Sequence, residues 1–154
     1  MIPQVHSASS SEPLALFREY AARVRRDRRL SGADVCTLTL TSQLESQDSV
    51  TLDARFAQGR LIELGYRVRA CSLTQATTGI LAARAQQLSA SMLRRARQDL
   101  ERVLAPTPPE PSTLIWPELS VLQDAAGMPD RHQVIFLPFE ALQQLFATEE
   151  EHSD

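Results

Sequence analysis

Cys71 has the position in this sequence best suited to chemistry. It follows an alternating segment, Tyr66–Ala70, and precedes a segment of helical period. Free N–H groups give the N-terminus of a helix a partial positive charge, which favours a thiolate, the form of cysteine that binds metals and attacks sulfur. A cysteine that ends a strand is also an ordinary small hydrophobic residue of a core. The local sequence leaves both interpretations open.

Cys36 is the second cysteine, and its pattern is simpler. It shares one face of the predicted strand VCTLTLT with Leu38 and Leu40, so we interpret it as a core residue. Two cysteines do not make a disulfide framework, and the N-terminal residues lack the features of a secretory signal. Both cysteines are therefore expected to be reduced thiols in the cytoplasm.

Other reactive constellations are few. His132 precedes an apolar segment and is a candidate ligand or base, or else a surface histidine. The carboxylates are scattered, and the sequence contains no HExxH, CxxC, Walker A or GxGxxG motif. All 16 basic residues are arginine, which excludes lysine Schiff-base chemistry. These observations favour a binding protein over an enzyme.

The net charge of −3 argues against nucleic acid as the main partner, and no apolar run reaches the length of a membrane span. At 154 residues the chain is expected to form one domain. We expect a disordered leader over residues 1–12, a single domain over residues 13–147 and an acidic tail over residues 148–154.

Three alternating segments predict an antiparallel meander, in which apolar side chains share one face. The segments cover residues 36–40, 50–56 and 62–70, with Ile62 predicted to point inward, a tight turn at Gln58–Gly59 and a bulge at Gly65. Such a sheet needs a cover on its apolar face, and helices can provide it. The predicted fold is α+β, a three-stranded antiparallel sheet covered on one face by helices.

Four helices are predicted around this sheet. The first begins at Ser11–Pro13 and carries an apolar face, and the second begins with a capping box at Ser72–Gln75. The third begins near Ser89, and Pro138 suits the first turn of the last one, with the segment VIFL before it assignable to strand or helix. The predicted buried faces are Leu14, Phe17, Ala21 and Val24 in the first helix and Met92, Ala96, Leu100, Val103 and Leu104 in the third.

The order of these segments resembles the iron–sulfur cluster assembly scaffold family of IscU/NifU type, particularly its alphaproteobacterial variant branch. The segment GRLIELGYRVRACSLTQATTGIL, residues 59–81, matches that branch without a gap, and WPELSVLQ and RHQVIFLPFEAL follow in the same order. The resemblance covers most of residues 30–147. It implies an α+β fold with a three-stranded sheet covered by helices, which agrees with the pattern of the residues.

The resemblance also implies a set of ligands, because the family builds a transient cluster on three cysteines assisted by an aspartate. The middle cysteine corresponds to Cys71 and the aspartate to Asp48. The first cysteine corresponds to Ser46, whose hydroxyl is a poor iron ligand, and the third to Val134, with His132 as the nearest substitute. A different gap would bring Cys36 into the first position. The ligand set is therefore degenerate.

Two functions follow from the resemblance. In the first, the chain binds iron or a labile iron–sulfur cluster transiently through Cys71, with Asp48 and His132, and works with a cysteine desulfurase and other assembly proteins. One thiolate cannot hold a four-ligand cluster, so this version needs a homodimer, a mononuclear iron site or a persulfide. In the alternative, a pseudo-scaffold has lost cluster binding and regulates assembly through its partners.

Overall fold

The computed structural model describes the backbone of residues 2–44 and 47–152 and the side chains of residues 12–44 and 47–151. In the order of the chain, one helix precedes the first strand and the other helices follow the third strand. The elements are α1 (Ile2–Arg23), β1 (Val35–Thr41), β2 (Ser49–Ala57), β3 (Arg60–Arg69), α2 (Ser72–Ala83), β4 (Leu88–Ser89), α3 (Ala90–Val103), three 3₁₀ segments (Pro111–Thr113, Pro117–Gly127, Pro129–Arg131) and α4 (His132–His152).

The described strands form one antiparallel sheet in the order β1-β2-β3-β4. The α+β prediction is confirmed, but the sheet has four strands instead of three. The additional strand is two residues long and pairs with the start of β3, Leu88 opposite Leu61. A strand of two residues has no measurable alternation, so no sequence pattern could have predicted it.

The bulge lies at Ile62, not at Gly65. Arg55 of β2 pairs with Glu63 of β3, and the next residue, Phe56, pairs with Leu61, so Ile62 has no partner. The extra residue interrupts the alternation of faces. Leu61 and Leu64 are therefore both buried, and Ile62, predicted to point inward, is only half-buried.

Gly65 is required for a different reason, because the connection between α1 and β1 crosses it. Arg28 pairs with Tyr66 through two backbone hydrogen bonds, and a Cβ on Gly65 would lie 2.6 Å from the Arg28 carbonyl oxygen. A side chain at this position would push the crossing segment away from the sheet.

A buried carboxylate anchors the crossing segment. Asp53 of β2 is fully buried and accepts hydrogen bonds from the Arg29 guanidinium (2.7 and 3.0 Å), the Leu30 N–H (2.9 Å) and the Thr37 hydroxyl (2.6 Å). Burial alone would raise the pKa of Asp53, but these bonds outweigh burial and hold the pKa below its usual value. Strand alternation directs Asp53 to the face of β2 opposite to that of Leu52 and Ala54, and the crossing segment buries it there.

Helix α1 packs closely on α2. An added Cβ on Gly79 of α2 would overlap the backbone of Tyr20, so the two helices approach each other through a glycine. Ala21 and Val24 are buried and Phe17 is half-buried, as predicted, whereas Leu14 is 51% exposed. The described helix begins at Ile2, so the expected start at Ser11–Pro13 lies inside it and the segment expected as a disordered leader is helical at its backbone.

The last two long helices differ from prediction in detail. Ser89 caps α3 by accepting a hydrogen bond from the Met92 N–H (3.2 Å), as its predicted start requires, but Met92 itself is exposed and Leu93 is buried in its place. Helix α4 begins at His132, so the VIFL segment is helical and Pro138 lies inside the helix. The helix also continues through the acidic residues after residue 147 as far as His152.

The division of the chain at residues 12 and 147 remains a prediction. Within the described residues, no helix combines the length and apolar character needed to cross a membrane.

Candidate functional site

Cys71 is the N-cap residue of α2, directly after β3, and is partly exposed. Its backbone is extended (φ −66°, ψ 167°), and its side chain does not cap the helix. The predicted capping box is wrong, because Ser72 is the first residue within the helix and is exposed, and the Gln75 side-chain amide donates to the Ala70 carbonyl (2.9 Å). The free N–H groups of α2 therefore need an acceptor from outside the helix.

Asp48 supplies an acceptor for one of these groups, the N–H of Cys71. Its carboxylate oxygen Oδ2 lies 3.3 Å from the Cys71 backbone nitrogen, which donates to it, and 3.4 Å from the Thr74 hydroxyl. A carboxylate at this point complements the positive end of the helix dipole. Asp48 is only 4% exposed although it lies in a loop, directly before the first residue of β2. The structure thus brings together two of the residues singled out from the sequence, Asp48 and Cys71.

Thr74 joins these residues to α4. Its hydroxyl lies 3.0 Å from the Val134 carbonyl oxygen and 3.6 Å from the Cys71 sulfur, and it is fully buried. A hydroxyl has one proton, and the Val134 carbonyl is the nearest acceptor, so the thiol of Cys71 can donate to the remaining lone pair of Thr74. Sequence reasoning missed Thr74 as part of the site.

Pro138 explains why the Val134 carbonyl is free to accept this bond. Within a helix, the N–H of residue 138 would donate to the carbonyl of residue 134, and proline has no N–H. The buried Val134 carbonyl would then lack a partner, and Thr74 provides one from the neighbouring helix. Pro138 was the sequence signal for this contact. A proline frees a carbonyl four residues earlier only if that earlier residue is helical, so the signal has meaning only once α4 is known to begin at His132.

The loop that carries Asp48 is fixed by backbone and side-chain bonds. The Ser42 N–H donates to the Asp48 carbonyl (2.7 Å), and the Gln133 side-chain oxygen accepts from the Ser42 hydroxyl and the Gln43 N–H (3.3 Å each). Gln47 adopts a positive φ of 50°. Ser46, the residue at the first expected ligand position, lies outside the described residues.

His132 takes a separate position. It is the first residue of α4 and is half-buried, and its Nε2 lies 2.9 Å from the Ala125 carbonyl oxygen. Nε2 therefore carries the proton in the neutral ring and donates to that carbonyl. In the described part of the chain, no hydrogen bond or ion pair joins His132 to Cys71 or Asp48, and no group of three or more His, Cys, Asp and Glu side chains is arranged to hold a metal ion.

Cys36 lies on β1 opposite Ala54 and packs against the core, in agreement with its pattern. Partial burial raises the pKa of the Cys36 thiol, and the negative charge of Glu149 raises it further. Both effects favour the thiol over the thiolate that a metal ligand requires. Cys36 is also near the start of β1, whereas Asp48 follows the loop at its end.

An apolar groove of about 350 Å³ adjoins the N-terminus of α2. Leu73 lines it from α2, Val121 from the 3₁₀ segment, and the exposed Leu14 and Met128 (51% and 48%) lie at its edges. Exposed apolar side chains gathered beside a partly exposed cysteine are typical of a surface that contacts another protein.

Comparison with solved structures decides what this architecture is. The N-terminal part of a nitrogen-fixing NifU-like protein from Brucella abortus superposes with a TM-score of 0.74 at 24% identity, over 88% of this chain and 92% of that one. The chain has the NifU-like fold.

Two further structures share this fold. A proposed iron–sulfur cluster assembly scaffold protein for the SUF system of Fervidobacterium islandicum superposes with a TM-score of 0.64 at 17% identity, over 83% of this chain and 91% of that one. A protein described only as hypothetical gives a TM-score of 0.66 at 19% identity, over 86% and 98%. No family model and no curated protein matches the sequence. The NifU-like fold confirms the resemblance at the level of architecture.

The third expected ligand position is Val134. Its side chain is fully buried, and its carbonyl is already bonded to Thr74. The position therefore contributes a structural contact to the neighbourhood of Cys71 and offers no side-chain ligand.

Proposed function

We propose that this protein takes part in iron–sulfur cluster assembly as a scaffold-like binding protein of the variant IscU/NifU branch, and that Cys71 is the residue that receives iron or sulfur. The observation that carries the proposal is the pairing of Asp48 with Cys71 at the N-terminus of α2 in a NifU-like fold. Thiolates are the usual ligands of iron in clusters, and an adjacent carboxylate is an additional oxygen donor.

The donor set supports a transient cargo. One thiolate and one carboxylate cannot complete a four-ligand cluster, so the missing ligands must come from a second protein or a second copy of this chain. A cysteine desulfurase is the partner we propose for sulfur delivery, and the apolar groove beside Cys71 is a surface on which a partner could dock. A reducing cytoplasm is the compartment that suits the two free thiols.

A binding role suits this site better than catalysis. Enzymes commonly activate a cysteine nucleophile with a base within hydrogen-bonding distance of the sulfur. Among the described side chains, the Thr74 hydroxyl is the hydrogen-bonding group beside the Cys71 sulfur, and it is not a base. The Nε2 of His132 is bonded to Ala125.

A pseudo-scaffold is the second candidate, and a specific observation favours it. Asp48 is bonded to Cys71 N–H and lies against Thr74, and it is almost fully buried, so metal binding would have to compete with contacts that hold the fold together. In this version the protein keeps the fold and the partners and has lost the cargo.

Anaerobic reconstitution separates the two candidates. The reaction contains ferrous iron, sulfide and a cysteine desulfurase with free cysteine, from which the desulfurase transfers sulfane sulfur to an acceptor thiol. Visible absorbance with bound iron that disappears in Cys71→Ser supports the scaffold, and so does a persulfide on Cys71 detected by mass spectrometry. The matched control is Cys36→Ala, which should load normally. A colourless protein that still binds the desulfurase supports the pseudo-scaffold, and loading that depends on Cys36 would show that the wrong cysteine has been assigned.

A further inference from the structure

Strand β1 has an uncovered edge. In the described chain, Val35–Thr41 forms strand pairs only with β2, and its inner face packs against α4. The side chains of Thr37, Thr39 and Thr41 are exposed, whereas Leu38 and Leu40 are half-buried. The open side of this strand is therefore a row of backbone groups without a neighbouring strand.

The direction of each backbone group follows from the register. Ser42 donates its N–H to Asp48, and antiparallel pairing alternates, so Cys36, Leu38 and Leu40 also direct their N–H and C=O groups toward β2. The odd-numbered residues direct theirs outward. Val35 gives its N–H to the Gly32 carbonyl, and the Gln43 N–H is bonded to Gln133. The outward N–H groups of Thr37, Thr39 and Thr41 are left without an acceptor among the described residues.

This edge lacks the features that usually prevent an exposed strand from pairing with a strand of another molecule. Proteins usually protect an exposed edge strand with a charged side chain, a proline or a bulge, because its free backbone groups pair readily with another strand. The sequence VCTLTLTSQ, residues 35–43, has no charge and no proline, and the β1–β2 register is unbroken. An uncharged edge with two half-buried leucines is suited to association.

We propose that β1 pairs antiparallel with β1 of a second copy, centred on Thr39. In this register Thr39 faces Thr39 of the other copy, and Thr37 faces Thr41, so the three outward N–H groups of each chain are all bonded. On the inner face Leu38 lies opposite Leu40, which covers the apolar surface that each copy leaves half-exposed. Threonine pairs and leucine pairs are both favourable across strands. The edge is thus complementary to itself.

This dimer is independent of the cargo site. The loop to Asp48 leaves the C-terminal end of β1, and antiparallel pairing directs these two ends away from each other. Each Cys71 therefore remains on its own side, and neither copy supplies ligands to the other. Dimerisation through β1 should be unaffected by Cys71→Ser or by iron.

Thr39→Pro tests the proposal, with Thr39→Val as the matched control. Both substitutions remove the hydrogen bond between the Thr39 and Thr51 hydroxyls (2.7 Å), but only proline removes the outward N–H and places a ring at the centre of the edge. Light scattering after size exclusion should give twice the chain mass for the wild type and for Thr39→Val, and the chain mass for Thr39→Pro.

Hydrogen exchange of the wild-type protein provides a second measurement that needs no variant. The amides of Thr37, Thr39 and Thr41 should become protected as concentration rises, while those of Leu38 and Leu40 are protected throughout by β2. A wild-type monomer at high micromolar concentration, or a dimer without protection at these threonines, overturns the proposal. Protection that appears only with an added assembly protein would assign the edge to that partner's strand and reject the second copy.

Discussion

At the scale of single residues, the contact between Thr74 and Val134 links the two helices beside Cys71. A proline inside α4 removes a helical donor, and a threonine of α2 replaces it. The same threonine lies within 3.6 Å of the Cys71 sulfur. The surroundings of the Cys71 thiol are therefore set by a packing requirement between two helices.

Thr74→Val should destabilise the protein by about 1–2 kcal/mol, because it leaves the buried Val134 carbonyl without a donor. Urea unfolding measures the change. Thr78→Val is the matched control. Its buried hydroxyl donates to the Thr74 carbonyl one helical turn away, and the helix itself can satisfy that carbonyl. A cost for Thr78→Val as large as that for Thr74→Val would contradict this account.

Pro138→Ala should reduce the cost of Thr74→Val. Alanine restores an N–H that can donate to the Val134 carbonyl, so this carbonyl gains a donor in addition to Thr74. A double-mutant cycle over the two positions should give a coupling free energy of about 1 kcal/mol. Additive effects of the two substitutions would show that Thr74 and Pro138 act independently.

At the scale of elements, two glycines allow backbones to approach closely. Gly65 lies under the segment that crosses β3, and Gly79 lies under α1. Both positions are in regular elements and neither has a positive φ, so what each glycine provides is space. Helix α1 is thereby held against α2, the helix that begins at Cys71.

Gly79→Ala should destabilise the protein by about 3 kcal/mol, because the new methyl group meets the Tyr20 backbone, which cannot move without displacing α1. Gly127→Ala is the control, since an added Cβ there has no atom within 4 Å. Denaturant unfolding followed by circular dichroism gives both values. A tolerated Gly79→Ala would indicate that α1 does not dock on α2 at Tyr20.

At the scale of the whole molecule, Asp53 joins parts of the chain that are distant in sequence. It lies on β2 and bonds to the segment after α1 and to Thr37 of β1. A buried carboxylate with several donors favours one arrangement of these parts, because removing its partners leaves a charge in the interior. The attachment of the segment after α1 to the sheet depends on this residue.

Asp53→Asn should lower the free energy of unfolding at pH 7 by about 3 kcal/mol. Because the pKa of Asp53 is lowered in the folded state, its stabilising contribution is complete above the unfolded-state pKa and is lost as pH falls below about 4. The difference between wild type and variant should therefore shrink between pH 7 and pH 3.

The control for this pH dependence is Asp34→Asn. Asp34 pairs with Arg55 at the surface, where its side chain is 64% exposed, and solvent weakens such pairs. Its substitution should change stability less than that of Asp53 at every pH. Equal effects of the two variants, measured by urea unfolding across the pH series, would be inconsistent with a special role for the buried carboxylate.

Local sequence patterns were enough to predict the fold class, the three long strands, the start of α3 and the position of Cys71 between a strand and a helix. These features are local, since alternation, helical period and capping residues act within a few positions of the chain. Tertiary structure decided the fourth strand, the bulge at Ile62 and the burial of Asp53. Each depends on which distant segment lies alongside, and no local pattern encodes that neighbour.

The candidate site divides in the same way. Residue type and spacing pointed to Cys71, and the resemblance pointed to Asp48, but only the folded chain shows the carboxylate at the N-terminus of α2. The sequence could not show that Thr74, Val134 and Pro138 act together. The bond between Thr74 and Val134 exists only when α2 and α4 pack together. The role of His132 also depended on the folded chain. The fold places the Ala125 carbonyl beside its ring, and Nε2 is bonded to that carbonyl.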